Sequence, residues 1–315
     1  MSIWVIPYID QDLSFWQEIA RQHGEQIHSV YLPMPGSLVA SGRAPQPDQK
    51  VGDFLRQAPL KKTVLINPIL LNHPAEEMAP ALIQALRQLR DDFGVEHVTL
   101  ANLTLAKIIR KAIPEMKIAA SCLMGISSPA QVLMAQDAID TLIPDTRLLR
   151  DLRALERLRK AFKGEIRLII NEACLPGCLY RVQHFYEMAY SKYYPQSLCR
   201  SLLTEQPWLR LTGAWVLPQH LKFFEGLYDS LKLSGRVTLK DPERYRQVLG
   251  AYINRQPLSP CDIGGGPASV LEGLEISEAW FEQTLRCNKQ CTDCVICQEY
   301  YNQALESLKV ESHAG

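Results

Sequence analysis

Short apolar runs alternate with amphipathic stretches along most of the chain, and the alternation predicts strands followed by helices. "IWVIPYI", "IHSVYL", "KTVLINPIL", "VEHVTLAN", "KIAASC", "IDTLIP" and "EIRLIINEAC" read as strands. Between them "LSFWQEIARQHG", "AEEMAPALIQALRQLRDDFG", "LTLAKIIRKAIP" and "SPAQVLMAQDA" read as helices. Gly24 and Gly94 serve as stops, and a Ser-Pro pair serves as a start. "DTRLLRDLRALERLRKAFKG" reads as one long charged helix closed by Gly164. Residues 33–60, rich in Pro and Gly, read as a long loop of the kind that is usually functional or disordered.

Further on, "LTGAWVLP" and "DSLKLSGR" predict strands with "QHLKFFEGLY" helical between them, and Asp241 and Pro242 open a helix over "DPERYRQVLGAYINR". Strands alternating with helices imply a parallel sheet. The count is nine strand candidates, one more than a (β/α)8 barrel needs, with a doubly wound open sheet as the competing topology. The expectation is a TIM-like barrel over residues 1–256 and a Cys-rich extension over 257–315 that ends in a helix. In such a barrel the catalytic groups stand at the C-terminal ends of the strands. Asn67, Asn102, Ser121, Asn171, Glu172 and Arg236 fall at such ends.

Composition narrows the function classes. The 315 residues are 47% hydrophobic and 22% charged with a formal net charge of +0, which suits a globular chain with a sizeable core. Neutrality removes the bulk electrostatic argument for nucleic-acid binding, although a local basic patch survives it, so nucleic acid is not excluded as a partner. No stretch approaches the ~20 apolar residues of a spanning helix. The opening "MSIWVIPYIDQDLSFW" lacks a signal peptide's basic region and long apolar run, so a cytoplasmic protein is expected.

Nine cysteines in a cytosolic chain need a reason other than disulfides. Cys122 stands alone in "IAASCLMG", and the other eight gather late, which argues for metal or iron–sulfur ligation. The first group is Cys174, Cys178 and Cys199, straddling a helix read over "LYRVQHFYEMAYSKYYPQSL". A 4Fe–4S cluster wants four thiolates, and this strand–loop–helix unit offers three. Cys261 is favoured as the fourth over Cys122, which is followed by apolar Leu123 and Met124.

The second group packs Cys287, Cys291, Cys294 and Cys297 into eleven residues, "CNKQCTDCVIC". A second iron–sulfur cluster and zinc are both compatible with it, although one tetrahedral zinc usually takes two separated pairs. Its C-x3-C-x2-C portion matches the radical S-adenosylmethionine signature superficially. That signature follows a barrel's first strand, whereas this one follows the last. Arg181 and His184 lie one helical turn apart and can face an anion or a cluster edge. Arg43 and Arg236 follow glycines and are candidate carboxylate clamps. Glu172 and His184 are the candidate proton donor or acceptor, with Arg236 completing the candidate catalytic set. "GGG" at 264–266 lacks the spacing of a phosphate loop, and no hydrolase signature is present.

"DSLKLSGRVTLKDPERYRQVLGAY" resembles the "D-x-x-K-I-E-G-R … Y-x-x-x-V-x-x-Y" stretch of the collagenase-like proteins known as peptidase family U32. "IAAS" after "PEMK", "DTLIPDTRLLRDL" and "INEACLPGC" fall in the same order as that family's strand ends, over roughly residues 60–255. The resemblance implies a TIM-like barrel and an oxygen-labile 4Fe–4S cluster. It also implies an oxygen-independent hydroxylase acting on a small aromatic precursor or on RNA pyrimidines with prephenate as oxygen donor. Some members work as heterodimers of two similar chains, so a related partner chain is implied. The alternatives are a non-catalytic iron–sulfur electron-transfer or scaffold subunit and, from the family label alone, a peptidase. Cys174, Cys178 and Cys199 match the family's cluster positions. Ser234 stands where the family has an acid, and the family's fourth cysteine has no counterpart in "LPQHLKFF".

Overall fold

A computed structural model describes residues 3–35, 50–190, 199–235, 239–263, 271, 273–287, 289, 291 and 293–314. In chain order the barrel elements are β1 (Trp4–Pro7), α1 (Leu13–His23), β2 (Ile27–Pro33), α2 (Val51–Gln57), β3 (Lys62–Ile66), α3 (Ala75–Phe93), β4 (His97–Leu100), α4 (Leu103–Ala112), β5 (Lys117–Ala120), α5 (Pro129–Ala135), β6 (Thr141–Leu142), α6 (Leu152–Ala161), β7 (Glu165–Ile169), α7 (Arg181–Tyr190), α8 (Arg200–Glu205), β8 (Ser230–Lys232) and α9 (Pro242–Ile253). The extension supplies α10 (Glu278–Leu285) and α11 (Ile296–Ala314). The eight strands pair in sequence order, all parallel, and β8 returns to β1, so the sheet closes as a TIM-type barrel.

The period-two pattern of each strand sorts its residues between two environments. Trp4, Ile6, Val30, Leu32, Val64, Ile66, Val98, Leu100, Ile118, Leu142, Ile166, Leu168 and Leu231 point outward into one continuous core shared with the helices. The alternate residues fill the barrel. Val5, Tyr31 and Leu65 pack together, as do Ala119, Ile143 and Ile169.

The end of the barrel where the strands begin is polar inside. Ser29 and Thr63 share a hydrogen bond of 2.8 Å. Arg167 donates from Nε to Ser230 at 2.8 Å and from Nη2 to Glu165 at 2.8 Å. Ser230 and Thr141 also donate to Glu165. Burial opposes ionisation of Glu165, but the Arg167 charge and these hydrogen bonds outweigh it and bring the carboxyl down to about 2.

Capping follows the sequence signals. The side chains of Asn102, Ser128, Asp151, Asp241 and Ser277 accept from backbone N–H groups in the first turns of α4, α5, α6, α9 and α10. Gly94 closes α3 in the left-handed conformation. Among the described residues no helix is long and apolar enough to cross a membrane.

Five expectations change. "LTGAWVLP" is not a ninth barrel strand. Its residues Ala214, Trp215, Val216 and Leu217 are all buried, so the run looks like a strand without alternating. It crosses antiparallel over the extension of β7, with Val216 N–H donating to the Ile170 carbonyl and Ala214 N–H to the Cys174 carbonyl. The "QHLKFFEGLY" stretch is a 3-10 segment, Pro218–Phe224, rather than an α-helix.

The long helix expected from residue 145 is broken into a 3-10 turn, Thr146–Leu148, and α6. The Asp151 cap starts α6 late, which leaves Arg150 free to turn inward. Gly164 lies beyond the helix end. A Cβ there would meet the Asp140 carbonyl oxygen at 2.5 Å, so the residue is required by close approach and not by capping. Within the loop expected over 33–60, α2 forms, while residues 36–49 lie outside the described residues.

Candidate functional site

The C-terminal strand ends gather most of the predicted chemistry. Beyond β7, Asn171 is fully buried and acts as a staple. Its Nδ2 donates to the Ser234 carbonyl at 2.8 Å and to the Ile263 carbonyl at 2.9 Å, and its Oδ1 accepts from Ser234 N–H at 2.6 Å. One side chain thus ties the ends of β7 and β8 to the segment that carries Cys261. Cys174 leaves the same strand end, and its carbonyl is held by Ala214. Cys261 has its thiol 2.9 Å from the Ser259 hydroxyl, and its carbonyl accepts from Arg244. Cys174, Cys178, Cys199 and Cys261 are all half-buried.

Cys122, at the end of β5, packs on Ala119, Ile143 and Ile169. Burial pushes its thiol up. The charges of Arg181 and Lys232 pull it down, and Glu172 and Asp145 add to the rise. These groups define the mouth of the barrel. Lys232, buried inside β8, has Nζ 4.0 Å from the Tyr31 ring centre, and Tyr31 donates to the Leu233 carbonyl.

Arg181 opens α7 and is fully engaged with protein groups. Nη1 donates to Thr146 at 3.0 Å and lies 3.3 Å from Asp145, and Nη2 donates to the Cys122 carbonyl at 3.2 Å. Asp145 is in turn held by Arg147. Arg181 therefore pins α7 across the ends of β5 and β6. His184, one turn on, stacks its ring against Phe185. The Glu172 charge is near enough to act on Cys122, and the Glu172 N–H is held by the Ala214 carbonyl. Arg43 and Arg236 lie outside the described residues, as does the triple glycine at 264–266.

The second cysteine group assembles at the junction of α10 and α11. Cys297 is pushed up to about 11 by burial, with Arg150 acting against the rise and Cys287, Cys291 and Cys294 adding to it. Among the described residues no three His, Cys, Asp or Glu side chains converge closely enough to hold a metal ion. Thiols are the donor type that a zinc or iron–sulfur centre takes. At the mouth, Asn171 ties the strand end from which Cys174 departs to the segment that carries Cys261. In the extension, the charges of Cys297 and Cys287 act on buried Arg150, whose Nε has no acceptor among the described residues.

Lys232, Asp145 and Arg150 were not singled out by sequence. Lys232 lies inside the "DSLKLSGR" motif, and its inward position follows from Ser230, two residues before, which faces Arg167. Arg150 is one of several arginines in a charged stretch, with no mark of its own.

No family model matches the chain. In sequence it is 23% identical over 322 aligned residues to a protein of Methanocaldococcus jannaschii named uncharacterized protease MJ1657, with 95% of each chain covered. In structure it is similar to the U32 peptidase Mk0906, with a TM-score of 0.55 at 13% identity over 75% of this chain and 94% of that one. The chain is thus similar over nearly its whole length to the archaeal protein, and it shares its barrel fold with the U32 peptidase.

Proposed function

We propose that this chain is an iron–sulfur enzyme of the U32 type that carries out an oxygen-independent redox modification, such as a hydroxylation, of a small aromatic or RNA substrate. The observation that carries the reading is the Asn171 staple, which fixes the Cys261 segment to the strand end from which Cys174 departs. Cys174, Cys178, Cys199 and Cys261 would hold a 4Fe–4S cluster, which supplies electron transfer or a binding site for an oxygen donor. Cytoplasmic residence belongs to the same proposal.

The chain's own groups have separable tasks. Lys232 brings a cation to the mouth, where Asp145 already balances Arg181. Glu172, whose charge reaches Cys122, is the candidate proton donor or acceptor. Arg181 holds α7, and with it His184, against the β5 and β6 ends.

The second reading is a peptidase, favoured by the name of the archaeal relative. A nucleophilic thiol needs a lowered pKa, and burial pushes Cys122 the other way. The reading as a subunit beside a related chain draws on the exposed apolar side chains of Leu179, Tyr180, Val182 and Tyr186, which lie on and just before α7.

The donor implied by the U32 resemblance, prephenate, carries two carboxylates, which a planar guanidinium matches through paired hydrogen bonds. Arg236 follows Gly235 beyond β8. Lysine keeps the charge and loses the fork, so Arg236→Lys weakens prephenate binding by roughly 1.5–3 kcal/mol. Calorimetric titration of anaerobic protein tests this. Equal binding by wild type and variant moves the clamp elsewhere, and no wild-type binding at millimolar prephenate removes this donor from the proposal.

A further inference from the structure

Arg150 is a buried guanidinium that joins the C-terminal extension to the run of chain crossing over β7. It is 4% exposed. Nη1 donates to the carbonyls of Leu211 and Gly213, and Nη2 donates to the Thr284 hydroxyl in α10. The guanidinium carbon lies 5.1 Å from the ring centres of Trp215 and Trp280 and 5.0 Å from that of Phe281. Taking this charge out of water is costly, and the carbonyls and ring faces offset part of the cost. A planar fork also fixes the directions of its donors, so the two segments it bridges are held at one spacing and one angle.

The extension holds the same stretch of chain again a few residues on. Phe281 stacks on His220 with ring centres 4.2 Å apart, and Glu278 pairs with Lys222. Both partners lie in Pro218–Phe224, which follows the buried run Ala214–Leu217 directly. The stretch from Leu211 to Lys222 is therefore clasped by α10, in part through Arg150.

This stretch in turn holds the strand end at the mouth. Val216 N–H donates to the Ile170 carbonyl at 2.7 Å, Glu172 N–H to the Ala214 carbonyl at 3.1 Å and Ala214 N–H to the Cys174 carbonyl at 3.4 Å. Asn171 and Trp215 pair as an antiparallel bridge. Gly213, whose carbonyl accepts from Arg150, lies so close that a Cβ there would meet the Ala173 carbonyl oxygen at 3.2 Å. Residues 211–216 thus contact Arg150 and also residues 170–174.

We propose that Arg150 is a positioning residue through which the docked C-terminal extension sets the backbone carrying Glu172 and Cys174 at the barrel mouth. The mouth is complete only while α10 is docked. The functional weight of Glu172 and Cys174 rests on the proposed reading of the mouth as the active site, whereas the coupling itself stands on the contacts above.

Hydrogen exchange on full-length protein purified without oxygen tests the coupling. In Arg150→Met the amides of Glu172, Ala214 and Val216 should exchange about 10-fold faster than in wild type, as expected for the loss of a hydrogen bond to a charged group. Those of β3, β4 and β5 should keep wild-type rates. Arg150→Lys keeps the cation and loses the fork, so it should fall in between. An arginine that only stabilised the fold would raise exchange throughout the barrel by global unfolding. A uniform rise, or no rise at the three amides, would overturn the proposal.

Should Arg150→Met fail to fold, Thr284→Val decides. It cuts the link on the extension side and leaves Arg150 in place. The same three amides should lose protection by a smaller factor, and unchanged protection there would also overturn the proposal. Iron counts on the same samples judge the cluster reading separately. Local deprotection without iron supports the coupling and removes the cluster, and iron with unchanged protection does the reverse.

Discussion

Arg167→Met lowers the unfolding free energy at pH 7 by about 3–5 kcal/mol, the usual cost of breaking a buried pair by removing one partner. Arg167 is 2% exposed, inside the barrel, with its guanidinium shared between Ser230 and Glu165. Methionine fills much of the volume but leaves Glu165 facing a buried space without its cation. The effect depends on pH with a definite sign. In wild type the Glu165 carboxyl is held down at about 2, below its ordinary value. Its contribution, roughly 3 kcal/mol from that shift, is therefore complete above about pH 4.5 and is lost as pH falls toward 2.

In the variant the carboxyl loses the cation that outweighed burial, so protonation relieves it. The difference between the two proteins should accordingly be largest near neutrality and smaller near pH 3. Urea unfolding at both pH values measures it. A difference below 1 kcal/mol at pH 7, or one that does not change with pH, would contradict the assignment of this pair as the polar core of the barrel floor.

Cys174→Ala combined with Cys178→Ala should remove about four irons per chain, since a 4Fe–4S cluster does not survive the loss of two of its four thiolates. Both side chains are half-buried on the irregular segment after β7, so their truncation makes no core cavity. The backbone bonds that order this segment, from Ala214 N–H to the Cys174 carbonyl and from Glu172 N–H to the Ala214 carbonyl, do not involve the thiols. The barrel should therefore keep its circular dichroism while the visible absorption of the anaerobic protein falls. Full iron and an unchanged absorption band in the double variant would place the cluster elsewhere.

Much of the barrel is legible in the pattern of apolar positions. The outward residues of each strand are apolar and flanked by turn signals, and capping residues such as Asn102, Ser128 and Asp241 mark the helix starts. The failures have local causes. "LTGAWVLP" has a strand's composition and is buried, but it pairs only through one antiparallel bridge beyond the end of β7, and hydrophobicity does not tell that bridge from a barrel strand. The stretch from 145 to 164 keeps a helical period across a break, and only the Asp151 cap reveals the restart.

In the site, the cysteines announce themselves by spacing, and the polar strand-end residue Asn171 follows from the barrel rule. Its role as a staple does not, because Ser234 and Ile263 are 63 and 92 residues away in sequence. Arg150 and Lys232 are hidden for the opposite reason. A basic residue is expected at the surface, and nothing in one sequence tells that its neighbours will bury it.

The central claim is that thiolates at the end of β7 hold an iron–sulfur cluster. Iron, acid-labile sulfide and zinc counted per chain on protein purified without oxygen test it most directly. The account predicts about four irons with as many sulfides when the mouth alone carries a cluster, and about eight when the extension carries a second. Zinc without iron or sulfide would contradict the account.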